Sequence, residues 1–437
     1  MMKAAEAWKI LFQRAHIKEH YYEKIASKAS VGLDKITVDN FESDIDNNVE
    51  IIYRKAHNKT YNFTRYKQLL FLKGAKKPPR SVSVPTVRDK LTLSVLNELI
   101  VSVYGDDCKT RLPQLIINEI FSEVDHYEMF IKLDIKSFYA SINQDKLVRK
   151  VKHRIRKPEI LHLIESAIQT ESLLIPIKEI KKKEARTLGI PEGLPISNAL
   201  ANIYLFDLDE KYRSNTNIKY WRFVDDILIL LNKKDFSKIK KDIADDIEKL
   251  KLSFNDKADE GKITDGFEYL GYRISSDLIS VRKSSILKIE QSIQELFGAV
   301  KDDNLKYIEW KLNNKITGFI LDTNKYGWLF FYSQITDLNL LFHLDDLVQK
   351  FVVRYKLTGK IKCKKFVRAY HEMRQALHET KYIPNFDDYS IEQKREILVA
   401  VYGEEAYSWN EKIVIQRFNL IMSREIRDIE RDIENFS

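Results

Sequence analysis

Two adjacent acids, Asp225 and Asp226, interrupt an otherwise apolar stretch that runs Tyr220-Trp-Arg-Phe-Val-Asp-Asp-Ile-Leu-Ile-Leu-Leu231. The apolar runs on either side read as buried strands, which puts the two acids in the turn between them. A two-residue hairpin turn favours Asn-Gly or Asp-Gly because its residues need positive φ, so Asp-Asp is a poor local choice. Neighbouring ionised carboxylates beside an apolar sheet also repel each other and lose hydration, which is costly unless a cation or strong donors compensate. A bound divalent ion removes the conflict. The bland alternative is a solvated turn with both acids facing water.

A third acid of the same kind closes Phe130-Ile-Lys-Leu-Asp-Ile135. Asp134 follows an apolar strand and precedes Lys136-Ser-Phe-Tyr-Ala-Ser-Ile142, a run with no helix-interior logic until Asn143. Alone it could be a helix-capping Asp. Together with Asp225 and Asp226 it supplies the third carboxylate expected around Mg²⁺, a hard ion that takes a few carboxylates plus phosphates and water. Two such ions about 3.5–4 Å apart would clamp the attacking and leaving oxygens of an in-line phosphoryl displacement.

The elements that must position these acids are short strands alternating with helices. Residues 1–56 read as helical segments joined by a loop around Ser30-Val-Gly-Leu-Asp34, and residues 61–85 as a hairpin with a basic tip carrying Lys73, Lys76, Lys77 and Arg80. After a helix from about Arg88 come the strand ending at Asp134, a helix after Asn143, a Gly/Pro loop and helix over 189–210, the 220–231 hairpin, a helix over 236–252 and a strand over 267–274. From Ser284 onward the pattern is almost wholly helical. The layout predicts an α+β fold with helices packed on one antiparallel sheet.

The ordered motifs resemble those of reverse transcriptases. Phe130-Ile-Lys-Leu-Asp-Ile-Lys-Ser-Phe-Tyr139 resembles their first catalytic motif, and Gly189-Ile-Pro-Glu-Gly-Leu-Pro-Ile-Ser197 with the following helix resembles their template and nucleotide loop. Arg222-Phe-Val-Asp-Asp226 is similar to their aromatic-x-Asp-Asp hairpin, and Leu250 to Lys257 with Phe267 to Ile274 to the last two palm motifs. Order and spacing across the set are more specific than any one motif. Upstream, Ser30-Val-Gly-Leu-Asp-Lys-Ile-Thr-Val-Asp-Asn-Phe41 and the basic hairpin ending Pro79-Arg-Ser-Val-Ser-Val-Pro-Thr-Val-Arg-Asp-Lys90 look like the fingers of group II intron and other bacterial enzymes of this kind, so the resemblance covers roughly residues 30–285. The last third loosely resembles bacterial defence-associated members of the Abi, retron-like and unknown-group types.

The resemblance implies a right-hand polymerase, with fingers over 1–125 and 150–188, palm over 126–149 and 189–285, thumb over 286–380 and a helical extension over 381–437. It implies Asp134, Asp225 and Asp226 as ligands of two Mg²⁺ ions. Tyr139 would be the steric gate against a 2′-hydroxyl, although core packing of Phe138 and Tyr139 is the plain alternative. Lys73 and Arg80 would grip the triphosphate, since a point charge and a bidentate guanidinium both suit phosphate oxygens. Lys257 matches the lysine that protonates departing pyrophosphate, and Gly193 and Ser197 would meet the nucleotide or template, with Ser197 placed to cap its helix. The family commonly has Gln where this chain has Glu192 and Pro where it has Asn198, and an ionised Glu neither donates a hydrogen bond nor attracts phosphate.

Implied partners are an RNA template, a dedicated non-coding RNA being one form of it, a DNA product and deoxynucleoside triphosphates, with a homo-oligomer or protein partner open. The implied role is antiviral defence. Rival readings are untemplated or protein-primed nucleotide addition, and a non-catalytic RNA-binding scaffold. His343, Asp345 and Asp346 imitate a metal site but sit at helical spacing with Leu341, Leu344 and Leu347. Eight basic residues against Glu372 between Arg354 and Arg374 read as a helix tracking a nucleic-acid backbone, or as a solvated face.

Composition agrees with a basic, globular chain. Of 437 residues, Lys and Arg outnumber Asp and Glu by 73 to 64, a net charge of +9 that favours polyanionic partners only mildly. Two cysteines without CxxC spacing support neither a disulfide framework nor a thiolate zinc site. With no long apolar run, the expectation is a cytoplasmic protein that neither spans a membrane nor is exported.

Overall fold

The structure, a computed structural model, describes residues 1–26, 30–71, 79–174, 187–255, 258–301 and 303–433. It divides into two compact units: residues 1–111 with 129–260, and residues 112–128 with 261–437. The segment 261–285, assigned to the palm by the motif pattern, thus packs with the helical unit. Among the described residues no helix is long and apolar enough to cross a membrane.

In the first unit the N-terminal helices precede an antiparallel pair, β1 (Tyr66–Phe71) and β2 (Arg80–Val84). A two-residue strand, Ser172–Leu173, adds to the far edge of β1 in parallel. The following helix, Val87–Tyr104, starts where the Thr86 side chain accepts from the Asp89 amide. Such a cap satisfies one of the amides that a helix start leaves unpaired.

The central sheet is built from β3 (Met129–Asp134), β4 (Ile218–Phe223) and β5 (Asp226–Leu231), in the order β4-β5-β3, with a short edge strand beginning at Asp259. All pairs among these three are antiparallel. Every residue from Ile227 to Leu231 is fully buried. Side chains alternate along a strand, and Ile227, Ile229 and Leu231 share one core with Leu200, Ile203 and Tyr204 of the helix Ser197–Arg213. A continuous apolar run is what a strand covered on both faces requires.

In the second unit, Phe267–Ile274 is a hairpin rather than one strand. Phe267–Tyr269 turns through Leu270 and Gly271 to pair with Tyr272–Ile274, which pairs in turn with Ile279–Val281. Long helices follow, yet the region is not wholly helical. Phe319–Leu321 and Asn324–Tyr326 form a hairpin whose turn residues Asp322 and Thr323 both have positive φ. The Asp387 carboxylate accepts from both of their amides, at 2.7 and 2.8 Å, and so holds a turn that local preference would not choose.

The basic stretch 354–374 is not one helix. One helix ends at Arg354, another starts at Phe366, and the Lys-rich connection lies between them. The acids of the 343–346 cluster find separate partners: His343 meets Glu290, Asp345 accepts from the Phe366 amide, and Asp346 pairs with Lys350. The helix Glu411–Asp432 is fastened by ion pairs from Lys311 to Glu425 and Asp428, and from Lys315 to Asp432.

Candidate active site

The register of the central sheet sets Asp134 directly opposite Asp226. Phe223 pairs with Asp226 across the β4–β5 hairpin, so the turn consists of Val224 and Asp225, and Asp226 already belongs to the strand. This shifts the turn by one residue from the reading in which both acids occupy it. The cause is backbone geometry: Val224 takes the positive φ, at 56°, that the first central position of a II′-type turn demands. For a β-branched residue that conformation is a genuine outlier, with strain of about 1–3 kcal/mol.

Four hydrogen bonds hold the strained turn and its acids. The Asp225 carbonyl accepts from the Ile135 amide at 3.1 Å, one step beyond the Asp134–Asp226 pair. The Asn255 amide donates to the Asp134 carbonyl at 2.9 Å, and the Asn255 side chain donates to the Asp134 carboxylate. Arg222 donates through Nη1 to the Val224 carbonyl at 2.8 Å. All three acids are half-buried.

Arg222 is itself locked from behind. Its Nε and Nη2 reach the two carboxylate oxygens of Asp209 at 2.8 and 2.5 Å, and the Tyr220 hydroxyl donates to Asp209 at 2.8 Å. Asn202 Oδ1 accepts from both Arg222 Nη atoms at 3.2 Å. The side chains of Arg222 and Asp209 are 4% and 5% exposed. This network was not anticipated from the sequence. Its legible signal was a charged residue on each of two buried elements: Asp209 on the helix face shared with Leu205 and Leu208, and Arg222 within an apolar strand.

After Asp134 the chain passes through Ser137, in left-handed conformation at φ 46°, into a single helical turn. The turn sends Phe138 into the core and leaves Tyr139 half-buried. The Tyr139 hydroxyl donates to Asn198 Oδ1. Burial, reinforced by the charges of Glu192 and Asp225, raises its phenol pKa, so Tyr139 is a neutral donor at physiological pH.

The loop 188–197 lies against these elements. Gly189 donates to the Ile142 carbonyl and Ile190 to the Tyr139 carbonyl, both at 2.8 Å. A Cβ at Gly189 would meet the Ala140 carbonyl oxygen at 2.6 Å, and one at Gly193 would meet Val82 at 2.5 Å; both glycines have positive φ. The backbone approach therefore needs glycine at both places. Ser197 does not cap its helix. It is the first helical residue, is buried, and its hydroxyl donates to the Pro191 carbonyl at 2.6 Å, which closes the loop on itself. Arg80 on β2 makes an ion pair through Nε with Glu192, so the loop residue that stands where the resemblance leads one to expect Gln is engaged by a cation of β2.

Lys73 and Lys257 lie outside the described residues, as do Lys76 and Lys77. Of the remaining sequence-predicted residues, Asp134, Asp225 and Asp226 meet at one end of the sheet. Tyr139 adjoins them, close enough for the Asp225 charge to act on its hydroxyl. Arg80, Gly193 and Ser197 belong to the neighbouring β2 and loop.

Like charges directly opposite on a ladder are destabilising, and the strained turn adds a third acid one residue from that pair. All three are oxygen donors, the ligand type that a hard divalent cation takes.

Comparison with known proteins matches residues 72–274 to the family model described as "Reverse transcriptase (RNA-dependent DNA polymerase)". A curated relative, the uncharacterized 91 kDa protein in the cob intron of Schizosaccharomyces pombe, is 27% identical over 207 residues, 43% of this chain; the chain spans about a quarter (24%) of that protein's length. Among solved structures, telomerase from Candida albicans in complex with a TWJ fragment of telomeric RNA is similar at TM-score 0.43 and 12% identity, over 89% of this chain and 66% of that one. Apo telomerase from Candida tropicalis is similar at TM-score 0.43 and 15% identity, over 85% and 68%.

Proposed function

We propose, from the premise that residues 72–274 carry a reverse transcriptase domain and with it the enzyme class of a nucleotidyltransferase, that this chain is an RNA-directed DNA polymerase extending a 3′ end with deoxynucleotides. The observation that supports it most is the register that sets Asp134 opposite Asp226, with Asp225 in the joining turn. Those three side chains would hold two Mg²⁺ ions, which when bound supply activation of the attacking hydroxyl and neutralisation of charge on the leaving phosphate oxygens. Asn255 orients the Asp134 carboxylate from one side, and Arg222 holds the carbonyl of the turn from the other. RNA template, DNA product and deoxynucleoside triphosphates are the proposed partners.

Tyr139 selects the sugar in this reading. Its ring, held through Asn198, stands beside Asp225 and would collide with a 2′-hydroxyl. Tyr139→Ala is expected to raise incorporation of ribonucleotides relative to deoxynucleotides by about 10²-fold, the scale on which a pocket separates ligands differing by one hydroxyl. The ratio of kcat/KM for matched ribo and deoxy substrates checks it, and an unchanged ratio removes the gate role.

Arg80 would contact the triphosphate only by loosening its pair with Glu192. Glu192→Gln frees that guanidinium and removes a charge that repels phosphate. The expected result is a KM for the nucleotide lower by about 3–10-fold, in keeping with a partly exposed ion pair of about 1 kcal/mol. Steady-state titration of the nucleotide checks the direction.

The deciding experiment for the function is primer extension on a defined RNA template, with the product sequenced. A complementary, Mg²⁺-dependent DNA supports the reading. A homopolymer or repeat made without regard to template supports a second reading, untemplated addition, which the diversion of Glu192 to Arg80 favours. A role in bacterial antiphage defence belongs to the proposal on the resemblance of the C-terminal third, and loss of phage protection on inactivating the carboxylates would support it.

A further inference from the structure

In the first unit, three ligand-type side chains converge where the fingers helices meet. His16 and His20 stand four residues apart on the helix Arg14–His20, which places them on one face of it. Glu98 comes from the helix Val87–Tyr104. Glu98 Oε2 lies 2.9 Å from His16 Nε2 and 3.0 Å from His20 Nδ1. One donor atom from each of the three residues lies within 4.8 Å of the others.

We propose that His16, His20 and Glu98 form a binding site for a divalent transition metal of the zinc class, separate from the carboxylate site on the sheet. Two imidazoles and one carboxylate make a donor set used for Zn²⁺ with one position left open, whereas Mg²⁺ takes oxygen ligands. Tetrahedral zinc with bonds of about 2.0–2.1 Å needs its ligand atoms roughly 3.3 Å apart. The two histidine–glutamate separations are within a few tenths of an ångström of that, so the donors need only open slightly to admit the ion.

The surroundings are those of a built site. His20 is buried, and its other ring nitrogen, Nε2, lies 2.7 Å from Ser94 Oγ one turn before Glu98 on the same helix, which fixes the ring with Nδ1 toward Glu98. An outer partner of this kind orients metal-ligating histidines. His16 and Glu98 are partly exposed, at 25% and 40% of their side chains, which leaves an entry path and room for water or an exchangeable ligand. Directly after His20 the helix widens into a π turn, Tyr21–Ile25, a rare local geometry often found at functional sites. The ion would tie the N-terminal helix to the long fingers helix.

The test is calorimetric titration of tag-free, chelator-treated full-length protein with Zn²⁺, with Co²⁺ as a spectroscopic probe. One equivalent of Zn²⁺ per chain is expected, with visible Co²⁺ absorption of low-symmetry four- or five-coordination. His20→Ala and Glu98→Gln should each weaken Zn²⁺ at least about 100-fold, and His16→Gln, on the more exposed side, gives the same loss without disturbing the buried ring. Asp225→Asn should leave this binding unchanged, so the result is independent of polymerase activity. Absence of stoichiometric binding, or binding unaltered in His16→Gln and Glu98→Gln, would overturn the site and leave the cluster a helix-to-helix ion pair.

Discussion

Replacing Asp225 and Asp226 together by Asn is expected to lower nucleotide incorporation by on the order of 10³-fold or more, because two of the three proposed oxygen ligands lose the charge that a hard divalent ion requires. The same double variant should fold at least as well as the parent in metal-free buffer. Asp226 faces Asp134 across the β3–β5 ladder, and relieving a directly opposed like-charge pair removes a destabilising contact of a few tenths of a kcal/mol to about 1 kcal/mol. Activity and stability therefore move in opposite directions, a combination that misfolding cannot produce. Asp134→Asn should repeat both effects. Primer extension across a Mg²⁺ titration and a melting curve in chelator measure the two quantities, and undiminished incorporation would take these carboxylates out of the mechanism.

The second large effect is expected behind the site. Asp209→Ala leaves the Arg222 guanidinium buried with its bidentate partner gone, and removes the acceptor of the Tyr220 hydroxyl. Breaking one side of a buried ion pair typically costs about 3–5 kcal/mol, which for a unit of this size is a fall in Tm of roughly 6–20 °C. Arg222→Lys should cost less stability but still depress incorporation. A lysine keeps the charge while losing the fork that joins Asp209, Asn202 and the Val224 carbonyl. Because Arg222 holds the turn rather than touching substrate, its loss should appear mainly in kcat, with KM for the nucleotide little changed. Wild-type stability in Asp209→Ala would show that the pair is not what secures the hairpin.

Much of the hairpin that carries Asp225 and Asp226 was legible because its residues contradict their local surroundings. Acids next to apolar strands make poor turn chemistry and poor core, and a sequence retains such conflicts where function requires them. Apolar periodicity likewise located β3, the Asn143-capped helix and both strands of the hairpin, since a strand buried on both faces must be continuously apolar. The sequence alone could not place the turn. Whether Val224 or Asp225 opens it depends on which register lets Asp226 pair with both Phe223 and Asp134, and register is set by the neighbouring strand.

The partners were also out of reach of the sequence. Ser197 had the residue type of a cap and became a loop clasp, because the Pro191 carbonyl stands within reach of its buried hydroxyl. Arg80 and Glu192 are 112 residues apart and met only when β2 came against the loop. The hairpin at Phe319–Tyr326 was hidden in a helical pattern because its non-glycine turn depends on Asp387, far along the chain. The sequence by itself determined which residue types could do chemistry and on which short elements they ride, since these follow from covalent chemistry and local periodicity. Which carboxylate faces which, and which cation is already engaged, was decided only by the tertiary structure, because those pairings are made between segments distant in the chain.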